Sequence, residues 1–206
     1  MKKLFACLAV TLLALAAASG QYDYYVFSLS WAPEFCAQPG AASSNPQECG
    51  PRKGFVVHGL WPEVNQGRSP EACQPARPVS KGLVNALMPY MPSAGLIQHE
   101  WATHGTCSGL TASDFFAALR KARDSVAIPA GLNPPSQELR FTPGQIESKF
   151  AAANPRYPGA AFRASCYRDA ELQEVRVCLN KDLSPRACGA SAGKCAVANV
   201  TMLPVR

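Results

Sequence analysis

The chain has 206 residues, nine of them cysteine, and a formal net charge of +6. That length suits one domain with a substantial core. The modest basic excess favours a polyanionic partner, and the lack of any lysine- or arginine-rich run excludes an extended nucleic-acid platform.

Residues 1–20 read as a secretory signal peptide. Lys2 and Lys3 form a basic start, Leu4 to Leu15 is an apolar run broken only by Thr11, and Ala16 to Gly20 is a small-residue stretch suited to cleavage. The run is too short to span a bilayer, and nothing later in the chain is long and apolar enough. No cysteine stands at the cleavage site to take a lipid. The expected mature chain is one domain, residues 21–206, in the periplasm or the medium, with a charge nearer +4 once Lys2 and Lys3 are gone. Cys7 is lost as well, which leaves Cys36, Cys49, Cys73, Cys107, Cys166, Cys178, Cys188 and Cys195. An even number in an exported chain implies four disulfides, and no Cys-x-x-Cys pair argues for a metal. Spacing alone does not choose among the possible pairings.

Tyr22 to Trp31 is rich in aromatic and β-branched residues and reads as a strand ending at Pro33. Residues 37–53 read as a loop. Gly54 to Leu60 reads as a buried strand ending at Trp61-Pro62, followed by a loop to Pro78. Leu83, Leu87 and Met91 give helical spacing to Val79–Met91, and Ile97–Cys107 is a further expected helix. Thr111 to Asp114 is a capping box that opens a helix through Ala122. Thr142-Pro143 opens another that runs to Phe150. Ala161–Arg168 and Glu171–Leu179 read as paired strands joined at Asp169-Ala170, with Val175, Val177 and Leu179 alternating with Glu174, Arg176 and Cys178 as on a one-sided sheet. The expected class is α+β, a mostly antiparallel sheet with packed helices.

The three histidines, His58, His99 and His104, fall in two short segments that otherwise look like core. On a helix with His99 at 0°, Thr103 falls near ~40°, Cys107 near ~80°, Glu100 near ~100° and His104 near ~140°. Glu100 and His104, four apart, have the spacing at which side chains meet. A zincin spaces its histidines as His-Glu-x-x-His so that both ligate one ion. Here the segment is one residue longer, which places the two poorly as adjacent ligands. Two imidazoles titrating near neutrality instead suit acid–base catalysis on one reacting centre. A structural role is the ordinary reading of one histidine beside a buried strand. Three such residues, in segments that carry Gly and Trp, fit it less well.

Phe55-Val-Val-His58-Gly-Leu-Trp61-Pro and His99-Glu100-Trp101 with His104-Gly-Thr-Cys107 resemble the two active-site segments of the ribonuclease T2 family, in the right order. Tyr24–Trp31 is similar to the family's first core strand, and Glu171–Cys178 to its late strand. The resemblance implies a disulfide-stapled T2-like fold and an endoribonuclease. That enzyme cleaves single-stranded RNA through a 2′,3′-cyclic phosphate, with His58 and His104 as the acid–base pair and neither metal nor cofactor. His104 is the expected base and His58 the acid. Glu100 would support them, His99 would contact the phosphate, and Trp61 and Glu63 would meet a base. The resemblance also implies Cys36–Cys49, Cys73–Cys107, Cys166–Cys195 and Cys178–Cys188, RNA as partner and a monomer. One position departs from the pattern. Thr103 stands where the family usually carries Lys or Arg, so a residue from elsewhere must supply that charge. A T2-like protein of weak or absent catalysis that binds RNA or another partner is the alternative.

Overall fold

The structure is a computed structural model, and it describes residues 21–51, 53–132, 136–167, 170–193 and 195–205. Residues 1–20, read above as a signal peptide, and Arg52, Arg168 and Asp169, the last at the expected join of the paired strands, lie outside those residues.

Four antiparallel strands form the central sheet: β1 (Tyr24–Trp31), β2 (Phe55–Glu63), β4 (Phe162–Cys166) and β5 (Leu172–Leu179), in the order β2-β1-β5-β4. β3 (Leu139–Phe141) and β6 (Val200–Met202) form a separate antiparallel pair. The helices are α1 (Ala32–Ala37), α2 (Ala41–Ser44), α3 (Lys81–Leu87), α4 (Ala94–Thr103), α5 (Ala112–Ser125) and α6 (Pro143–Ala153). This is the expected α+β arrangement.

Alternation along the strands divides the sheet into two faces. Tyr25, Phe27 and Leu29 of β1, Val57 and Leu60 of β2, and Val175 and Val177 of β5 share one buried cluster with Phe115 and Phe116 of α5 and Ile146 and Phe150 of α6. The opposite face carries Tyr24, Val26, Trp61 and Cys178. The one-sided reading of β5 is therefore corrected. Glu174 and Cys178 are also buried, because the His58 side chain, the 190–193 segment and Cys188 lie against the second face.

Local chemistry sets the helix ends. Thr111 and Thr142 cap α5 and α6 through the backbone N–H of Asp114 and of Gln145, and Pro143 sits where no helical N–H is needed. Ser80 and Ser93 cap α3 and α4, so α3 is shorter than Val79–Met91 and α4 begins three residues before Ile97. The stretch between Trp31 and the expected loop folds into α1, with Pro33 in its first turn, and the expected loop 37–53 contains α2. β2 runs on through Pro62 to Glu63, which an edge strand allows because Pro62 has no ladder N–H to satisfy.

The expected helix 97–107 stops at Thr103. The Thr103 carbonyl accepts from Ala72 N–H at 2.7 Å and that of Ala102 from the Thr106 hydroxyl at 3.0 Å, and Gly105–Cys107 tightens into a 3₁₀ turn. A Cβ at Gly105 would lie 2.9 Å from Trp101 Cζ3 and 3.1 Å from Phe115 Cδ1, so the turn passes there only as glycine. The structure bonds Cys36–Cys49, Cys73–Cys107, Cys166–Cys195 and Cys178–Cys188. The second of these holds the turn that follows His104.

Candidate active site

The register of β1 and β2 slips between Ser28 and Leu29: Ser28 faces Gly59, Leu29 faces Val57, and His58 is left opposite no residue. Such a bulge re-aims a side chain. Val57 and Leu60 both reach the main core, so the extra residue puts His58 on the other face, with Trp61 two pairs along.

Three carboxylates surround His58. Its Nδ1–H donates to Glu174 Oε1, and its Nε2 lies 3.6 Å from Glu100 Oε1. Glu48, only 3% exposed, adds its field. Glu174 is 1% exposed and takes a second charge-assisted bond, from Arg176 Nε at 2.9 Å. Glu100 is equally buried, and its Oε2 accepts from Trp61 Nε1 at 2.8 Å. A Cβ at Gly59 would lie 2.8 Å from Glu100 Cδ and 2.5 Å from Trp61 Nε1. The bare backbone of Gly59 is the floor on which the Glu100 carboxylate rests.

Glu100 and His104 do not meet as their four-residue spacing implied. Glu100 turns toward β2, against His58 and Trp61, while His104 closes the last turn of α4. The His104 ring lies 5.6 Å from that of Trp61, and the His58 ring 5.2 Å from the same indole, so Trp61 touches both imidazoles. His99 and Thr103 stand one turn apart, the Thr103 hydroxyl 3.5 Å from His99 Nδ1. Glu63 accepts a hydrogen bond from Ser69.

Two cavities flank these side chains. One, of about 310 Å³, is lined by His58, His99, Tyr167 and Gln173 among others. The other, of about 240 Å³, is lined by Trp61, Glu63, Glu71, His104, Arg176 and Ser191 with their neighbours. Lys53 lines a separate cavity with Cys36 and Cys49. No group of three or more histidine, cysteine or carboxylate side chains is arranged to hold a metal ion among the described residues.

The two imidazoles are driven apart in proton affinity. Burial works against a charged His58. The hydrogen bond and charge of Glu174, then the fields of Glu100 and Glu48, outweigh it and hold the imidazole above its ordinary range. Burial pulls His104 down to about 4, and positive charge at His99 and His58 adds to the effect. Burial likewise pushes Glu100 up to about 7, against the pull of His58 and of the Trp61 hydrogen bond. Burial would raise Glu174 too, but His58 and Arg176 overcome it and hold the carboxyl down at about 2. These surroundings therefore favour the charged form of His58 against an ionised Glu174, and the neutral form of His104.

The sequence reading missed Glu174 and Arg176. Their signal was charge on an internal strand of the sheet, alternating with Val175 and Val177.

The model of the ribonuclease T2 family matches residues 22–188. The chain belongs to the ribonuclease T2 family. That membership supports endoribonuclease activity. A ribonuclease of Aeromonas hydrophila is 33% identical over 179 residues, covering 80% of this chain and 74% of that protein. A probable ribonuclease of Haemophilus influenzae is 29% identical over 186 residues, covering 83% of this chain and 62% of its own. Extracellular ribonuclease LE of Solanum lycopersicum is 27% identical over 183 residues, covering 79% and 78%. Among solved structures, RNase NT in complex with 5′-AMP superposes with a TM-score of 0.70 at 20% identity, covering 90% of this chain and all of that one. An RNase-related protein from Calystegia sepium gives 0.67 at 23%, covering 90% and 98%. These T2 structures share the fold. No helix among the described residues is long and apolar enough to cross a membrane.

Proposed function

We propose that this T2 ribonuclease cleaves single-stranded RNA by a cyclising, metal-independent reaction in which His104 is the base and His58 the acid. The carrying observation is the opposite displacement of the two imidazoles, His58 upward and His104 down to about 4. A base must be neutral and an acid protonated at the working pH, and these environments favour those states.

The neutral His104 takes the proton of a ribose 2′-hydroxyl. The 2′-oxygen forms a bond to the adjacent phosphorus, and the bond from phosphorus to the 5′-oxygen breaks. His58, fixed through Nδ1 on Glu174, gives its Nε2 proton to the departing 5′-oxygen. The products are a 2′,3′-cyclic phosphate and a 5′-hydroxyl. With the roles reversed, water opens the cyclic ester to a 3′-phosphate. In this reading His99 contacts the phosphate, and Trp61 and Glu63 meet a base from within the His104 cavity. Residues 1–20 act as the export signal of a single domain that works in the periplasm or the medium, with RNA as its partner.

The test is RNA cleavage in EDTA by the wild type, His58→Ala and His104→Ala. Each substitution should lower kcat by at least about 10²-fold. Equal turnover in all three would overturn the two-histidine mechanism. Thr103, uncharged beside His99, favours the second reading, a protein that binds RNA with little turnover. That reading requires the wild type to bind RNA as tightly as His58→Ala does and to cleave it no faster.

A further inference from the structure

We propose that Arg176 is the cation that binds the scissile phosphodiester and neutralises its charge as the 2′-oxygen attacks. The proposal rests on the ribonuclease reading above. A phosphodiester brings one negative charge, and more gathers on its free oxygens as the fifth bond to phosphorus forms. The site is poorly prepared for this without a further cation. His104 is neutral, the charge of His58 is committed to Glu174, and Glu63 and Glu71 line the same cavity as His104. Thr103 brings a hydroxyl only.

Among the described residues, Arg176 is the lysine or arginine that lines the His104 cavity. It is held from several sides. Nε donates to Glu174 at 2.9 Å, Nη1 donates to the Ala192 carbonyl at 3.0 Å, and the guanidinium lies 5.2 Å from the Trp61 ring centroid. The side chain keeps 21% of its surface exposed, and Nη2 has no acceptor among the described residues. A guanidinium bound through Nε and Nη1 still offers the N–H donors of Nη2 in a fixed plane, a geometry that suits phosphate oxygens. Arg68 is a competing cation. Its side chain is 91% exposed, and it is ion-paired at 3.8 Å with Glu71, a residue that lines the cavity. Beyond that exposed ion pair, no hydrogen bond or ring contact holds it among the described residues.

Arg176 also touches Glu174, so a purely positioning role through His58 is the rival explanation, and the experiment separates the two. Inorganic phosphate binding by calorimetry, kcat and KM on a short RNA, and the pH profile are measured for the wild type, Arg176→Gln, Arg176→Lys and Thr103→Lys/Arg176→Gln, with melting curves to report folding. Arg176→Gln should lose about 10- to 100-fold in phosphate affinity and about 10²–10³-fold in kcat/KM across the whole pH range. Arg176→Lys should keep most of the phosphate affinity, and it serves as the working arm if the glutamine variant does not fold. The added lysine of the double variant should restore part of the loss. Unchanged phosphate affinity in Arg176→Gln, or a loss confined to a shifted alkaline limb, would overturn the proposal. A wild type that binds phosphate through Arg176 but never cleaves RNA would remove the ribonuclease reading while leaving the anion site standing.

Discussion

Replacing Glu174 by Gln keeps the shape of the side chain and removes its charge. His58 then loses the hydrogen bond to a carboxylate and the nearest of its three negative neighbours, leaving Glu100 and Glu48 to oppose burial. Its pKa should drop from above the ordinary value toward or below 6.5. Each unit of that fall is worth about 1.4 kcal/mol, or a factor of ten in the protonated fraction on the alkaline side. Because His58 is the acid, the alkaline limb of kcat/KM should move down by at least about one unit, so that activity at pH 8 falls about tenfold or more while activity near pH 5 changes far less. The acid limb, which reports His104, should stay where it is. Arg176 and His58 would share the loss of a buried partner, and stability should fall by about 2–3 kcal/mol, at the low end for a broken buried pair because both cations still reach solvent. The assay is a pH series on a short RNA from pH 4 to 9, with urea unfolding in parallel. An unmoved alkaline limb would show that Glu174 does not set the proton affinity of the acid.

Gly59→Ala puts a methyl group 2.8 Å from Glu100 Cδ and 2.5 Å from Trp61 Nε1, so it should break the Glu100–Trp61 bond and cost about 1–3 kcal/mol, read by thermal melting, with a marked fall in kcat. Replacing Cys73 and Cys107 together by Ser opens a loop with a sequence separation of 34 and should cost about 3–4 kcal/mol by denaturant titration, lowering kcat as His104 loosens. Glu34 and Glu100 are both buried, and burial raises both from 4.5 to about 7. The stability they contribute is fully present below pH 4.5 and is lost as pH rises through 7, so Tm should be higher at pH 5 than at pH 8, and Glu34→Gln should flatten the fall.

What could be read in the sequence was whatever lies close along the chain. The strand that carries His58, Trp61 and Glu63 and the helix that carries His99 and Glu100 showed themselves through local pattern, and the capping residues Thr111 and Thr142 marked their helices. Three things were hidden because they depend on pairing across the fold. The bulge that turns His58 to the site face is a property of the β1–β2 register, not of the period of β2 alone. Glu174 lies 116 residues from His58, and in isolation it looks like the solvated side of an amphipathic strand. Glu100 sits at helical spacing from His104, but the absence of a side chain at Gly59 opens a space toward β2, and the carboxylate takes it. The helix also stops earlier than its pattern implied, because Ala72 and Thr106 satisfy its last carbonyls.

The most direct measurement is the product left by the purified mature chain from a short single-stranded RNA in EDTA, followed by phosphorus NMR. Proton transfer by His104 and His58 around an attacking 2′-oxygen requires a 2′,3′-cyclic phosphate to appear first, paired with a 5′-hydroxyl, and requires a 2′-deoxy substitution at the scissile nucleotide to stop cleavage. A 5′-phosphate product, or cleavage of the 2′-deoxy substrate at the same rate, would contradict it.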